Sequence, residues 1–223
     1  MLKGLIFDLD GTTLDTLEDI VYSYNATLKD VGLETKSEDA IRMGVGRGFR
    51  NLVNNTFPNL AEEKREEIAL AYRKKYGENY YKHTHPYPGM FELLKTLNEK
   101  GILLAVNSNK SDIYVKDLIA RNYPGINFVA VMGSMEGIAL KPDPQATEII
   151  IKKMGLKKEE VAYVGDSETD ILTGINAGLK TFACLWGFRD KKTLIKAGAD
   201  LLFESPKELS DYLKEEINNI SAL

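Results

Sequence analysis

Apolar residues in this chain form two alternating patterns, short continuous runs and helical spacings. The short runs are rich in β-branched and aromatic residues and predict strands at 3–8, 102–107, 128–132, 161–165 and 180–185. Helical spacings follow three of these runs and also end the chain, predicting helices at 112–120, 144–154, 168–177 and about 206–217. Alternation of strands and helices predicts an α/β fold with a doubly wound parallel (Rossmann-like) sheet.

The segment 16–83 breaks this alternation, because it carries helix signals and no convincing strand. Ser37 is typical of a residue that opens a helix, and Pro58 is typical of one that stops it. We therefore predict an all-helical cap domain at 16–83, inserted into a catalytic core made of 1–15 and 84–223.

Composition limits the kinds of partner. The net charge is -4, with 43% hydrophobic and 28% charged residues and no long basic block, which does not favour binding to nucleic acid or to an anionic membrane. The continuous apolar runs are far shorter than the roughly 20 residues of a membrane span. We expect no nucleic acid and no membrane as partners, and the oligomeric state, monomer or homodimer, stays open.

Three residues bear on the expected cellular location and on disulfide or metal chemistry. Asp8 and Asp10 interrupt any apolar segment near the start, so we expect no signal peptide and a cytoplasmic location. Cys184 is the only cysteine, which excludes an intrachain disulfide and a cysteine metal cluster.

Asp8 and Asp10 end the first predicted strand, directly before Gly11. Side chains alternate faces along a strand, so the two carboxylates point the same way and repel each other. Such a pair is useful where a cation, a shared proton or a substrate requires it, although an ordinary solvated turn has the same residues.

Polar residues also follow three other predicted strands. They are Ser108, Asn109 and Lys110 after the second strand, Lys141 after the third, and Asp166 and Asp170 after the fourth. The carboxyl ends of parallel strands share one edge, where open α/β sheets bind ligands. Several carboxylates around one point favour Mg²⁺, and a lysine and a hydroxyl beside them suit a phosphoryl group. One aspartate can then accept the phosphoryl group while another moves protons.

The motifs "DLDGT", "NSN", "LKPDP" and "GDSETD" resemble the four signatures of the haloacid dehalogenase-like superfamily, across essentially the whole chain. The segments "DTLEDI", "GVGRGFRNLV", "YPGMFELLKTL", "SNK" and "LWGFR" resemble its phosphoglycolate phosphatase-like subgroup. Thr13 stands where that family more often has leucine. The resemblance implies a Mg²⁺-dependent phosphatase that hydrolyses a small phosphate monoester through an aspartyl-phosphate intermediate.

The resemblance also implies a role for each motif residue. Asp8 is the nucleophile and a Mg²⁺ ligand, and Asp10 is the general acid/base whose backbone carbonyl binds the metal. Ser108 and Asn109 hold the phosphoryl group, and Lys141 neutralises it and orients the nucleophile.

The fourth motif supplies the remaining metal contacts implied by the resemblance. Asp166 is a Mg²⁺ ligand, and Asp170 ligates the ion or supports it from behind. In the cap, the glycine-rich "GVGRGFR" predicts a pliable loop that closes over the strand ends, with Gly46 and Arg47 setting substrate specificity.

Other functions remain open at this stage. Within the superfamily, the alternatives are a pyrophosphatase and a sugar phosphomutase similar to β-phosphoglucomutase. The mutases place a histidine soon after the Asp-Thr pair, and "DTLEDIVYSY" has none. Non-enzyme alternatives are a phospho-aspartate signalling protein, which would be shorter and lack the cap, and a regulatory protein that lost activity. Phosphoglycolate, sugar phosphates, nucleoside monophosphates and pyrophosphate all remain candidate substrates.

Overall fold

The structure is a computed structural model that describes residues 2–218. Its strands, in chain order, are β1 (Gly4–Phe7), β2 (Leu14–Asp15), β3 (His85–Pro86), β4 (Leu103–Ser111), β5 (Phe128–Ser134), β6 (Val161–Gly165), β7 (Lys180–Cys184) and β8 (Leu201–Phe203). Its α-helices are α1 (Leu17–Asp30), α2 (Glu38–Gly44), α3 (Phe49–Thr56), α4 (Glu62–Gly77), α5 (Met90–Glu99), α6 (Asp112–Asn122), α7 (Gln145–Met154), α8 (Glu168–Ala177), α9 (Lys191–Ala197) and α10 (Pro206–Asn218).

Six strands form one sheet in the order β5-β4-β1-β6-β7-β8. Every neighbouring pair in it is parallel. The first strand, β1, therefore lies in the middle of the sheet, between β4 and β6. The predicted parallel α/β fold is confirmed, and the five predicted strands all belong to this sheet.

Helices cover both faces of the sheet. Side chains of β1 divide between the faces: Leu5 and Phe7 pack into one hydrophobic cluster with α5, α6 and α10, and Ile6 packs into another with α7 and the end of α8. Because both faces are buried, the central strands are continuous apolar runs rather than alternating ones. The sheet is thus a rigid support whose carboxyl edge carries the polar residues.

Helices α1 to α4 lie between β2 and β3 in the chain and build a hydrophobic cluster of their own. Its buried members include Tyr24, Ile41 and Leu52. The chain leaves and re-enters the sheet region through β2 and β3, which pair antiparallel with Asp15 opposite His85. The predicted helical insertion is therefore present, with its two chain crossings side by side.

Single residues in the sequence predicted two helix ends correctly. Ser37 precedes α2, and its side chain accepts a hydrogen bond from the Ala40 amide. Gly178 ends α8 in the left-handed conformation, which suits glycine because it has no Cβ. The elements α5, α9 and β8 were not predicted. Within residues 2–218, no helix is both long and apolar enough to cross a membrane.

Candidate active site

The carboxyl edge of the sheet brings together the polar residues that follow four strands. Asp8 follows β1, Ser108 and Asn109 lie near the end of β4, and Asp166 follows β6. These four side chains and Lys141, from the segment between β5 and α7, are all at least nine-tenths buried. Buried polar groups need partners, so their contacts show how the site is organised.

Lys141 connects two of the carboxylates. Its Nζ donates to Asp8 Oδ1 at 2.7 Å and to Asp170 Oδ1 at 2.6 Å. Asp170 stands in the first turn of α8, where its second oxygen accepts hydrogen bonds from the amide and hydroxyl of Ser167 at 3.0 and 2.6 Å. The helix N-terminus and its capping residue thus fix Asp170, which in turn fixes the lysine against Asp8.

Asp166 is held from two sides. Thr12 Oγ1 donates to its Oδ1 at 2.8 Å, and the Phe188 amide donates to its Oδ2 at 2.8 Å. Gly11, at φ +82°, and Gly187 pack against the same carboxylate: a Cβ at either position would lie 2.3 Å from an Asp166 atom. Both glycines are therefore required for Asp166 to reach this position.

Burial and mutual repulsion raise the pKa values of two of these acids, Asp8 and Asp166. Burial, helped by the nearby Asp170 carboxylate, raises the pKa of Asp8 to about 7. Burial and the Asp170 and Asp8 carboxylates also raise the pKa of Asp166 well above its usual range. Burial lowers the pKa of Lys141, but the Asp170 and Asp8 carboxylates outweigh it and raise that pKa well above its ordinary value.

The arrangement suits a hard divalent cation. Asp8, Asp166 and Asp170 each offer one carboxylate oxygen, and these atoms lie within 4.8 Å of one another. Three buried carboxylates face one lysine, which leaves excess negative charge that a cation would neutralise. Oxygen donors of this kind are the ligands that Mg²⁺ prefers.

Asp10 lies beside this cluster, part-buried, with its own two donors. Lys110 Nζ and Thr16 Oγ1 each donate to its Oδ1 at 2.6 Å. Lys110 also lies over the Tyr76 ring of the cap, 4.7 Å from its centroid. Within residues 2–218, no donor contacts the second oxygen of Asp10, so the carboxylate is oriented and still has one oxygen available.

A pocket of about 690 Å³, including its open mouth, separates Asp8 and Asp10 from the cap. Gly46 and Gly48 of the glycine-rich loop line it, together with side chains from α1, α3 and α4. The Gly46 carbonyl accepts a hydrogen bond from Asn109 Nδ2 at 2.9 Å, so the loop lies directly on the carboxyl edge of the sheet.

Comparison with known proteins agrees with this geometry. The family model described as haloacid dehalogenase-like hydrolase matches residues 5–184. The chain belongs to the haloacid dehalogenase-like hydrolase family. The match runs from the strand before Asp8 to the end of β7, so it includes every residue of the carboxylate cluster.

Individual relatives of this hydrolase are similar along most of their length. The chain is 36% identical to a phosphoglycolate phosphatase of Aquifex aeolicus over 188 residues, covering 84% of this chain and 86% of the relative. It is 30% identical to a phosphoglycolate phosphatase of Vibrio vulnificus over 217 residues, covering 94% and 95%.

Solved structures share the fold. A predicted phosphoglycolate phosphatase from Haemophilus somnus has a TM-score of 0.85 at 28% identity, covering 96% of this chain and 98% of that one. A haloacid dehalogenase-like family protein from Streptococcus pneumoniae has a TM-score of 0.86 at 22% identity, covering 95% and 98%, which bears on the fold alone.

The two residues expected to hold the phosphoryl group, Asn109 and Ser108, differ in how far their side chains are already hydrogen-bonded. The Asn109 side chain donates to the Gly46 and Lys141 carbonyls and accepts from the Lys141 amide at 2.8 Å. Its amide group is therefore used to position the loop and the lysine, and a phosphoryl contact would fall to its backbone. The Ser108 hydroxyl accepts from the Lys110 amide at 3.2 Å and keeps its own proton to donate.

Arg47 does not line the pocket that contains Asp8. Its side chain is exposed, its Nε lies 3.4 Å from Thr169 Oγ1, and it lines a separate polar cavity with Glu168 and Arg189. The expectation that Arg47 faces the leaving group is not met in this conformation, because the loop directs its glycine backbone, rather than this side chain, towards the pocket.

Sequence reasoning missed Arg189, which joins the cap to the core. Its guanidinium donates to the carbonyls of Arg42, Met43 and Val45 at 2.7–3.1 Å and pairs with Glu168 at 3.0 Å. The three carbonyls lie at the carboxyl end of α2, where a cation is favoured by the helix dipole. The arginine lies in "LWGFR", but a single arginine in a loop gives no signal of the carbonyls it will meet.

Proposed function

We propose that this chain is a Mg²⁺-dependent phosphatase that hydrolyses a small phosphate monoester through an aspartyl-phosphate on Asp8. The observation that carries the proposal is the buried array in which Lys141 joins Asp8 to Asp170, with Asp166 alongside and Asp10 at the pocket. Phosphoglycolate phosphatases among the relatives support a phosphoric monoester hydrolase. The substrate class is therefore a phosphate ester of the same general kind.

In the first half-reaction, a carboxylate oxygen of Asp8 attacks phosphorus. A bond forms between that oxygen and phosphorus, and the bond from phosphorus to the leaving oxygen breaks. Asp10 gives its proton to the leaving oxygen, which departs as an alcohol. Lys141 holds Asp8 in place and neutralises the phosphoryl oxygens, and the Ser108 hydroxyl donates to one of them.

In the second half-reaction, water attacks the phosphorus of the aspartyl-phosphate. Asp10, now a carboxylate, takes a proton from that water, and the bond between Asp8 and phosphorus breaks to release inorganic phosphate. Lys110 and Thr16 keep Asp10 turned towards the same point in both halves.

Asp8 and Asp166, with the Asp10 backbone carbonyl, would hold the metal ion, and Asp170 would ligate it or support it through Lys141. A bound Mg²⁺ would supply positive charge against the phosphoryl oxygens and favour the ionised form of Asp8.

The helical insertion completes the proposal. We assign 16–83 to a cap that closes over a core made of 1–15 and 84–223, excludes water and brings Gly46 onto the site. A cytoplasmic location, a small-molecule partner with no nucleic acid or membrane, and a monomeric or homodimeric state are part of the same proposal.

Phosphate release from a panel of phosphate esters tests this function. The panel should include phosphoglycolate, sugar phosphates, nucleoside monophosphates and pyrophosphate. Purified protein should release phosphate with Mg²⁺ and stop when EDTA is added, and Asp8→Asn should be inactive on every ester. An active Asp8→Asn protein would contradict the assignment, and conversion of one sugar phosphate isomer into another would favour the phosphomutase.

A further inference from the structure

The pocket above Asp8 and Asp10 has an apolar, largely aromatic wall. Its apolar and aromatic side chains come from four helices and the loop before α3, and are Ile20, Val45, Phe49, Leu52, Tyr72, Tyr76 and Tyr114. The volume of about 690 Å³ includes open solvent at the entrance, so the lining rather than the volume indicates what this pocket binds. A two-carbon leaving group is too short to contact side chains from all of these elements.

The charges that line the pocket also bear on what kind of leaving group it accepts. Among residues 2–218, the cations that line it are Lys110 and Arg73. The Lys110 ammonium is occupied by Asp10 at 2.6 Å and by the Tyr76 ring. Arg73 is exposed and lies 5.6 Å from the Phe49 ring centroid. Within residues 2–218, Arg73 is the lining cation without an acidic partner, and it is exposed to solvent. A carboxylate on the leaving group would therefore meet one solvated cation and otherwise mostly apolar side chains, which compensate poorly for its desolvation.

Rings of the wall are fixed by one another, which makes the surface preformed. Tyr76 lies 5.8 Å from Tyr72 and 5.7 Å from Tyr114, and Tyr72 meets Tyr24 edge-on at 5.2 Å. A preformed aromatic surface binds a flat ring by stacking or edge contact without first having to be ordered.

We infer that the leaving group selected by this pocket is a flat, uncharged aromatic or unsaturated body joined to phosphate through an alcohol oxygen. The inference rests on the proposed phosphatase function and narrows its substrate to aromatic phosphate monoesters. The phosphoryl group occupies the Asp8 site, Asp10 reaches the bridging oxygen, and the ring lies between Phe49 of the cap and Tyr114 of the core.

Three alkyl phosphates separate shape from charge. Ethyl phosphate and phosphoglycolate both have two carbons and differ by a carboxylate, whereas benzyl phosphate adds an uncharged ring to an alcohol of similar reactivity. With Mg²⁺, kcat/KM for benzyl phosphate should exceed that for each of the others by at least about tenfold, because apolar pockets discriminate by that much even for small groups. Equal or faster hydrolysis of phosphoglycolate would overturn the inference while leaving the phosphatase function intact.

A matched pair of tyrosine variants tests the wall itself. Tyr114 and Tyr81 both pack on the Tyr80 ring, at 4.7 and 5.1 Å, but Tyr114 lines the pocket and Tyr81 does not. Tyr114→Ser should lower kcat/KM for benzyl phosphate about 2- to 10-fold more than for ethyl phosphate. Tyr81→Ser should lower neither selectively. The same selective loss in both variants, or in neither, would overturn the inference.

Calorimetry keeps the inference testable apart from turnover. If no ester is hydrolysed, the proposed function fails, and binding to the Asp8→Asn protein with Mg²⁺ still compares benzyl phosphate with phosphoglycolate. Tighter binding of benzyl phosphate would support an aromatic site, and tighter binding of phosphoglycolate would contradict it. If phosphoglycolate binds more tightly and Arg73→Gln abolishes that preference, Arg73 binds the carboxylate, and the inference of an uncharged leaving group is wrong.

Discussion

Asp10 illustrates how single residues set this site. One of its oxygens accepts from both Lys110 and Thr16. In Asp10→Asn the amide oxygen can accept the same two hydrogen bonds, so the geometry should persist without the proton transfer. We expect kcat to fall by about 10²- to 10⁴-fold, while the Mg²⁺ affinity, measured by calorimetry, stays close to that of the unmodified protein. Unchanged turnover would remove Asp10 from the reaction.

Arg47 leads to the opposite expectation. Its side chain is exposed, and its hydrogen bond to Thr169 is long at 3.4 Å. Arg47→Ala should therefore change kcat/KM by less than about threefold for any ester, since such surface contacts contribute little. A loss of tenfold or more on an anionic ester alone would show that the loop turns this side chain into the pocket when substrate binds.

For single residues, the sequence predicted position best where a side chain lies at or near the end of a strand. Asp8 and Asp166 follow strand ends and Ser108 lies near the end of β4, and the backbone at a strand end is fixed whatever the side chain does. Asn109 and Arg47 were expected to contact substrate, but the structure directs them to backbone carbonyls and to Thr169. Side-chain direction depends on elements far away in the chain, and a local motif carries no information about them.

At the scale of elements, α2 and the core are joined through Arg189. Arg189→Met would leave three carbonyls at the end of α2 without their donor. We expect the free energy of unfolding to fall by about 1.5–3 kcal/mol, the usual value for hydrogen bonds to a charged group. Chemical denaturation followed by circular dichroism measures it.

Arg50 provides the control for that variant. Its ion pair with Glu66 joins α3 to α4 within the cap and is exposed. Arg50→Met should cost less than about 1 kcal/mol. Similar losses in both variants would mean that Arg189 acts as an ordinary surface residue and does not hold α2 on the core.

Elements differed in how well the sequence predicted them. β6 and α8 were predicted with the observed bounds, because a fully apolar run and a helix closed by glycine leave little choice. β8 has three residues, and it is a strand because β7 offers it a free edge to pair with. Such an edge strand depends on its neighbour and has too few residues to give a pattern of its own.

At the scale of the whole molecule, the buried acids should link metal binding to stability. Asp8, Asp166 and Asp170 repel one another in the folded protein and separate on unfolding, so a bound cation should favour the folded state. At 100 times its dissociation constant, Mg²⁺ should stabilise the protein by about 2.7 kcal/mol. Thermal unfolding with EDTA and with Mg²⁺ measures the shift in Tm.

Asp166→Asn should abolish most of that shift, because it removes one of the three clustered carboxylates. Asp211→Asn is the control, since Asp211 is a part-exposed acid of α10 that pairs with Lys207 and Lys214 and is not a member of the cluster. An equal Mg²⁺ effect in all three proteins would show that the ion acts at another place.

The pairing of β2 with β3 has a consequence for how such a chain can vary. Asp15 and His85 are opposite each other, so everything between them forms a closed loop whose two ends are neighbours. An insertion with adjacent ends can be lengthened, shortened or exchanged for another module without moving any strand of the sheet. The carboxylates around Asp8 therefore lie in the core, whereas most of the pocket wall lies in the cap, with Tyr114 as a core contribution. A transplanted cap should change the substrate preference and leave the chemistry at Asp8 in place.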